Sequence, residues 1–121
     1  MIEGLGVDVI EVKRIKEATL RWKDHFLKRV FTKKELAYCQ KKPNIYQHLA
    51  ARFAAKEAVL KAFGVGLGKI HLKDIEVIRN HYGKPDINLL GQAKQFINKG
   101  KLLVTLSHCK EYAIAQAIYQ K

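Results

Sequence analysis

Residues 45–63 read IYQHLAARFAAKEAVLKAF and predict one long helix, the clearest element in the chain. At about 1.5 Å per residue this helix is close to 30 Å long, and Gly64 follows it as the expected C-terminal cap. An apolar row and an alanine row run along it: Leu49, Phe53, Leu60 and Phe63, and Ala51, Ala55, Ala58 and Ala62. The alanine row is smooth, so we expect another backbone to approach the helix closely there.

The segments before this helix predict a strand followed by three shorter helices. Residues 2–10 alternate and are rich in β-branched side chains, which predicts a strand. From Glu11 the hydrophobic period becomes helical, and a second short helix is expected near residues 26–31. Thr32 and Glu35 resemble a capping box, which predicts the start of a third helix.

The second half of the chain predicts mostly strands. The expected elements are strands at 74–79 and 86–90 around the turn Gly83-Lys84-Pro85, a short helix at 92–98, and a closing hairpin at 102–107 and 112–119. Helices first and antiparallel strands afterwards predict an α+β fold, with helices packed on a small sheet around one long central helix. Because no repeat or linker interrupts the chain, we expect a single domain over residues 1–121.

Net charge is the strongest signal in the composition. Lys and Arg number 23 against 11 Asp and Glu, which gives a formal charge of +12. Such a field attracts an anionic partner: nucleic acid, a phosphorylated small molecule or an acidic protein. No apolar run is long enough for a membrane span, and the N-terminus does not resemble a signal peptide, so we expect a cytoplasmic protein. Cys39 and Cys109 are expected to be reduced thiols that pack as small hydrophobes.

Three charged residues stand in unusual places. Lys56 falls in the apolar row of the long helix, where a lysine is costly unless an anion meets it or its ammonium reaches water. Glu57 and Lys61 are four residues apart, which alone favours an ordinary surface ion pair. Asp8 interrupts an apolar strand, so it either caps the helix that follows or, with Glu57, holds a hard divalent cation. Magnesium is commonly held by one or two carboxylates plus water and substrate phosphate.

The sequence contains no convincing nucleophilic pair. Ser107 and His108 are neighbours on a predicted strand and point to opposite faces, so His108 cannot easily serve as the base for Ser107. His108 either binds a phosphate or ribose at the end of its strand or forms a structural hydrogen bond. The other four histidines show no ligand spacing and are interpreted as surface residues.

These motifs together resemble the holo-acyl-carrier-protein synthases, the small phosphopantetheinyl transferases. The resemblance rests on four stretches: GLGVDVIE at 4–11 with Arg14, RFAAKEA at 52–58 with KAFG at 61–64, GKP at 83–85, and SH at 107–108 with Tyr112, Ala113 and Ala115. Their order and spacing cover essentially the whole chain.

The resemblance implies an α+β homotrimer with each active site between adjacent subunits. It implies transfer of the 4'-phosphopantetheine arm of coenzyme A to a serine of apo-acyl carrier protein, a step of fatty acid biosynthesis. Asp8 and Glu57 then bind Mg²⁺, while Lys61 contacts coenzyme A phosphate and acts with Glu57 in catalysis. His108 lies in the nucleotide pocket, and Gly64 is placed with the cofactor-binding residues. Arg52 and Lys56 are further candidates for the nucleotide phosphates, although Arg52 could instead serve an ion pair.

The resemblance also implies that an acidic carrier protein docks on the first two helices. The candidate contacts are Arg14, Arg21 and Arg29, with Phe26 as an apolar contact. The alternative is a solvated basic face without a partner. Two rival functions remain at this stage: a basic nucleic-acid-binding α+β module, and a non-catalytic protein that docks acidic partners. Neither explains Asp8 and Glu57, and the dispersed aromatic residues form no ribonucleoprotein motif.

Overall fold

The computed structural model describes residues 1–66 and 68–121. The elements are β1 (Ile2–Glu11), α1 (Val12–Trp22), α2 (Asp24–Val30), α3 (Lys33–Gln40), α4 (Ile45–Phe63), β2 (Ile75–Arg79), β3 (Pro85–Leu89), β4 (Lys101–His108) and β5 (Tyr112–Gln120). Short 3₁₀ helices at Leu72–Asp74 and Gly91–Phe96 lie between them. The α+β fold is confirmed, and the long helix has the predicted bounds.

The strands form two antiparallel sheets. Strand β5 lies in the middle of a three-stranded sheet in the order β1-β5-β4, and β2 pairs with β3 in a separate hairpin. The register places Asp8 beside Ala115 on β5 and His108 beside Ala113 on the same strand. The two candidate residues therefore sit on opposite outer strands of the larger sheet.

Helix α4 packs against β1 through the alanine row. A Cβ atom added to Gly4 would lie 1.8 Å from the Ala62 carbonyl oxygen, and one added to Gly6 would lie 1.9 Å from that of Ala58. Glycine is required at both positions because the two backbones approach too closely for any side chain. The predicted close approach of another backbone is confirmed, and it brings strand β1 directly onto the middle and end of α4.

A buried polar network ties α3, α4 and the β2–β3 hairpin together. Thr32 and Glu35 form the predicted capping box at the start of α3, and Glu35 also accepts a hydrogen bond of 2.8 Å from the Lys56 Nζ. The same ammonium donates to the carbonyl oxygens of Leu72 and Ile75. All three donors of the lysine are used, as a buried ammonium requires.

The two cysteines differ in their environments. Cys39 is buried in the helical part of the core, and desolvation raises the pKa of its thiol to about 11. Cys109 is free and exposed, so the prediction that both thiols are packed is wrong for Cys109. It lies at the end of β4, beyond the last inward-facing residue of that strand, where the chain turns toward β5.

Candidate active site

Strand β1 and helix α4 bring Asp8, Glu57 and Lys61 together. Asp8 lies on the helix-facing side of β1, two and four residues after the glycines that contact α4, because side chains alternate along a strand. The Lys61 Nζ lies 3.3 Å from the Asp8 Oδ1 and donates to the Val7 carbonyl oxygen at 2.9 Å. This pair is partly open to solvent, with side-chain exposures of 55% for Lys61 and 18% for Asp8.

Glu57 is a second carboxylate near Asp8, and its pKa reflects both its burial and the charge of that neighbour. Burial, and then the negative charge of Asp8, raise the pKa of Glu57 above its ordinary value, and the Lys61 ammonium only partly offsets them. One lysine therefore faces two carboxylates. A divalent cation between them would relieve this repulsion, and the hard oxygen donors suit Mg²⁺.

The donor set fits a metal that shares its coordination with a substrate. Among the described residues, no group of three or more His, Cys, Asp or Glu side chains could hold a metal by itself. Two carboxylates leave most of an octahedral shell to water and phosphate oxygens, which is the usual arrangement for Mg²⁺ on a phosphorylated substrate.

A cavity of about 260 Å³ connects the two acids with the first helices. Asp8 and Glu57 line it together with Arg14, Phe26 and Phe53. Two of the four predicted carrier-protein contacts thus border the candidate metal site. Of the other two, Arg21 is exposed with its guanidinium over the Trp22 ring, and Arg29 lines a second cavity of about 240 Å³ with Trp22, His25 and Phe26.

Arg52 and His108 lie in a separate cluster of basic side chains. Arg52 is only 2% exposed, and its guanidinium lies 4.1 Å from the Tyr38 ring centroid. Its Nε atom has no hydrogen-bond partner among residues 1–66 and 68–121. The His108 Nδ1 is also buried without a partner in the described part of the chain, and the His108 ring lies 4.9 Å from that of His48. Buried polar atoms are rarely left unpaired, so both atoms are available to bond a ligand at this cluster.

Ser107 and His108 do not form a catalytic pair. Ser107 is on the exposed face of β4, whereas His108 is half-buried on the opposite face. This is the separation predicted from strand geometry.

The structure corrects the role suggested for Lys56. Its ammonium is fully buried, and its three donors are bonded to Glu35 and two carbonyl oxygens. Lys56 therefore cannot reach a nucleotide phosphate, and the apolar row correctly indicated burial. Gly64 caps α4 in the left-handed conformation at φ 73°, and its N–H bonds to carbonyl oxygens of the helix. Its predicted contact with a cofactor remains a prediction.

Four residues that lie near Arg52 and His108 were not identified from the sequence. Tyr38, Lys42, His48 and Arg79 surround this position, and His48 in particular was interpreted as a surface residue. One signal was available, since His48 and Arg52 are four residues apart and share a face of the predicted helix. The contributions of α3 and β2 depend on tertiary packing, which no local pattern indicates.

Comparison with known proteins places this architecture in a family. The sequence-family model described as the 4'-phosphopantetheinyl transferase superfamily matches residues 4–117. The holo-[acyl-carrier-protein] synthase of Ruminiclostridium cellulolyticum is 47% identical over 119 residues, covering 94% of this chain and 89% of that protein. The crystal structure of the Neisseria meningitidis holo-[acyl-carrier-protein] synthase has a TM-score of 0.89 at 28% identity, with 100% of both chains covered. The Helicobacter pylori enzyme in complex with coenzyme A has a TM-score of 0.85 at 30% identity, covering 96% of this chain and 99% of that one. This chain therefore belongs to the holo-[acyl-carrier-protein] synthases of the 4'-phosphopantetheinyl transferase superfamily.

Proposed function

We propose that this protein transfers 4'-phosphopantetheine from coenzyme A to a serine of apo-acyl carrier protein, with Mg²⁺ as cofactor and as a homotrimer. The observation that carries the proposal is the meeting of Asp8 and Glu57 at one cavity, with Lys61 bonded to Asp8, in a member of this family. The expected cytoplasmic location stays a prediction. Among the described residues, no helix combines the length and apolarity needed to cross a membrane.

The reaction is a displacement at phosphorus. The serine oxygen of the carrier protein forms a bond to the β-phosphorus of coenzyme A, and the bond from that phosphorus to the bridging oxygen breaks. Adenosine 3',5'-bisphosphate leaves with the electron pair. Phosphoryl transfer of this kind depends mainly on positioning and charge neutralisation, which suits a site without a nucleophile of its own.

Each charged side chain of the site has a separate task. Asp8 and Glu57 would hold Mg²⁺, and the ion would supply neutralisation of charge on the diphosphate oxygens. Lys61 is anchored on the Val7 carbonyl and donates toward the same oxygens. Glu57 accepts the proton of the serine, directly or through a water molecule.

The basic cluster supplies contacts for the nucleotide part of the substrate. Arg52 and His108 carry the unpartnered atoms, and a phosphate oxygen would satisfy both. This assignment leaves the diphosphate to Lys61 and the two carboxylates. Lys56 has no part in it.

The outer face of the larger sheet supports the homotrimer. Leu5, Val7 and Val9 point away from α4 and are more than half exposed, and Val9 pairs with Ile114 on β5, which is 45% exposed. A sheet that is apolar on both faces is expected to bury the second face against a partner. A subunit on this face would contact strand β1, which carries Asp8 on its opposite face.

The carrier protein is assigned to the basic face of α1 and α2. Arg14 and Phe26 reach the same cavity as Asp8, so a serine presented there lies beside the metal site. Arg21 and Arg29 extend the positive surface along the two helices. With a formal charge of +12, the protein as a whole attracts an acidic partner.

The decisive experiment is incubation with apo-acyl carrier protein, coenzyme A and Mg²⁺, followed by mass spectrometry of the carrier. We expect a mass gain equal to one phosphopantetheine arm. A carrier protein with its acceptor serine replaced by alanine should gain nothing, and a chelator should stop the reaction until Mg²⁺ is restored. An unmodified carrier under all conditions would refute the proposed activity, and full activity in chelator would refute the metal.

A further inference from the structure

Three cationic side chains gather on a single aromatic ring. The Tyr38 ring centroid lies 4.1 Å from the Arg52 guanidinium carbon, 4.9 Å from the Lys42 Nζ and 5.3 Å from the Arg79 guanidinium carbon. These residues come from α3, the loop after it, α4 and the end of β2. Tyr38 thus contacts all three cationic side chains.

These charges have no counter-ion in the part of the chain that the structure describes. None of the four ion pairs found among residues 1–66 and 68–121 includes Arg52, Arg79 or Lys42. Arg79 donates to the Gly83 carbonyl oxygen, and Arg52 makes one long hydrogen bond of 3.5 Å to the His48 carbonyl oxygen. A buried guanidinium without an anion is costly, which indicates a ligand with negative charge.

The titrating groups nearby respond to the same positive field. Burial would raise the pKa of the Tyr38 phenol, but the charges of Arg79, Arg52 and Lys42, together with a side-chain hydrogen bond from Arg79, lower that pKa overall. Desolvation and the neighbouring His108, Arg52, Lys42 and Arg79 lower the pKa of His48 to about 4. His48 therefore stays neutral near pH 7 and adds no further repulsion.

We infer that Tyr38 is a positioning residue that holds Arg52, Arg79 and Lys42 in place for a phosphate monoester of the substrate. This inference rests on the proposed function, since coenzyme A carries one phosphate outside its diphosphate, at the 3' position. The ring gives each cation a favourable face contact and keeps the guanidinium edges free for oxygen ligands. The repulsion among the three cations is relieved only when the dianionic phosphate binds.

The test compares Tyr38→Leu, which removes the aromatic face, with Tyr38→Phe, which keeps the face and loses only the hydroxyl. Transfer is measured with coenzyme A and with 3'-dephospho-coenzyme A. Because a cation over an aromatic face contributes modestly per contact, we expect Tyr38→Leu to raise the KM for coenzyme A about tenfold with little change in kcat. Tyr38→Phe should stay within about threefold of the parent KM. The KM for the dephosphorylated substrate should not change in either variant.

Two results would overturn the inference. One is an equal loss for both substrates in Tyr38→Leu, which indicates a general structural role. The other is damage by Tyr38→Phe equal to that by Tyr38→Leu, which makes the hydroxyl responsible. If Tyr38→Leu does not fold, Arg79→Gln replaces it, because the Arg79 side chain is exposed. This variant should raise the KM for coenzyme A alone, and an unchanged KM contradicts the inference.

Calorimetry with adenosine 3',5'-bisphosphate separates this inference from the proposed function. The measurement requires no transfer, and adenosine 5'-monophosphate serves as the matched ligand without the 3'-phosphate. Tyr38→Leu should weaken binding of the bisphosphate about tenfold and leave the monophosphate unchanged. If the parent protein transfers nothing but shows this pattern, the proposed activity fails and the phosphate site stands. If the parent transfers normally and the pattern is absent, the inference fails alone.

Discussion

Helix α4 carries two lysines, five residues apart, that are each bonded to a carboxylate and differ in almost everything else. The Lys56–Glu35 pair is fully buried at 2.8 Å, and backbone carbonyls accept the remaining protons of the ammonium. The Lys61–Asp8 pair is longer, at 3.3 Å, partly exposed, and lies beside the second carboxylate of Glu57. The first pair is electrostatically complete. The second has an excess of negative charge that an added cation would balance.

This contrast separates a structural ion pair from a functional one. A closed pair, in which every donor and acceptor is already bonded, has no free group for a ligand. The Lys56–Glu35 pair instead joins three parts of the fold. An open pair with an uncompensated acid is poor as a stabilising element and ready to bind. Exposure and charge balance therefore distinguish the two lysines, although each is a lysine bonded to an acid.

The largest effect is expected when the closed pair is broken. Lys56→Met leaves the Glu35 carboxylate buried without its cation, which typically costs about 3–5 kcal/mol of unfolding free energy. The matched variant is Lys61→Met on the same helix, which removes a partly exposed pair and should cost about 1 kcal/mol or less. Urea unfolding measures both. Equal losses of stability would abolish the distinction between the two pairs.

The open site, formed by Asp8, Glu57 and Lys61, should respond in the opposite way. Substitutions of its two acids should lower turnover and leave the free energy of unfolding nearly unchanged. Asp8→Ala and Glu57→Ala should each lower turnover about 10²-fold or more, by analogy with other preorganised electrostatic sites. Their unfolding curves should stay close to that of the parent protein. Carrier-protein modification followed by mass spectrometry gives the rates. Near-normal transfer by both variants would remove the two acids from the metal site.

A smaller effect tests how far the open site extends toward its protein partner. Arg14 lines the cavity beside Asp8, whereas Lys13 on the same helix pairs with Glu17 outside it. Arg14→Glu should raise the KM for carrier protein about tenfold and leave the KM for coenzyme A nearly unchanged. Lys13→Glu makes the same change in charge and should have little effect. If the two variants behave alike, only the general positive field matters, and the KM should then depend on salt alone.

Much of the fold could be predicted because local patterns specify it. The length of α4, the capping box of Thr32 and Glu35, the turn at Gly83 and the closing hairpin depend on neighbouring residues in the sequence. The meeting of Asp8 and Glu57 was also accessible, since an acid in an apolar strand is conspicuous. The partner of Lys56 was not, because Glu35 is 21 residues away and looks like an ordinary helix-capping glutamate.

The residues that surround Arg52 and His108 in the basic cluster could not be predicted, for the same reason. Tyr38, Lys42 and Arg79 occur in segments whose individual patterns indicate only a helix end and a strand end. Their convergence on one ring requires the packing of α3 against α4 and of β2 against both. Exposure was equally hard to predict. Trp22 shares a helical face with the buried Val12 and Ile15, but it lies at the end of α1 and is 53% exposed.

The smallest expected effect concerns the stability of the open site without metal. The pKa of Glu57 is raised above its ordinary value of 4.5, so its ionised form is less favourable in the folded than in the unfolded protein. Ionised Glu57 therefore destabilises the metal-free protein at neutral pH. This penalty disappears as the pH falls below 4.5, where the residue is protonated in both states. Because Glu57 is partly exposed, solvent screening keeps the effect small.

Glu57→Gln is the variant that isolates the destabilisation caused by ionised Glu57. In the presence of chelator at pH 7 it should be slightly more stable than the parent, and the difference should vanish near pH 4, below the unfolded-state pKa. Addition of Mg²⁺ should reverse the order, because only the parent gains stability from the bound ion. Thermal unfolding at both pH values, with and without Mg²⁺, measures all four states. A metal-free variant that is less stable than the parent at pH 7 would show that Glu57, like Glu35, belongs to a closed pair.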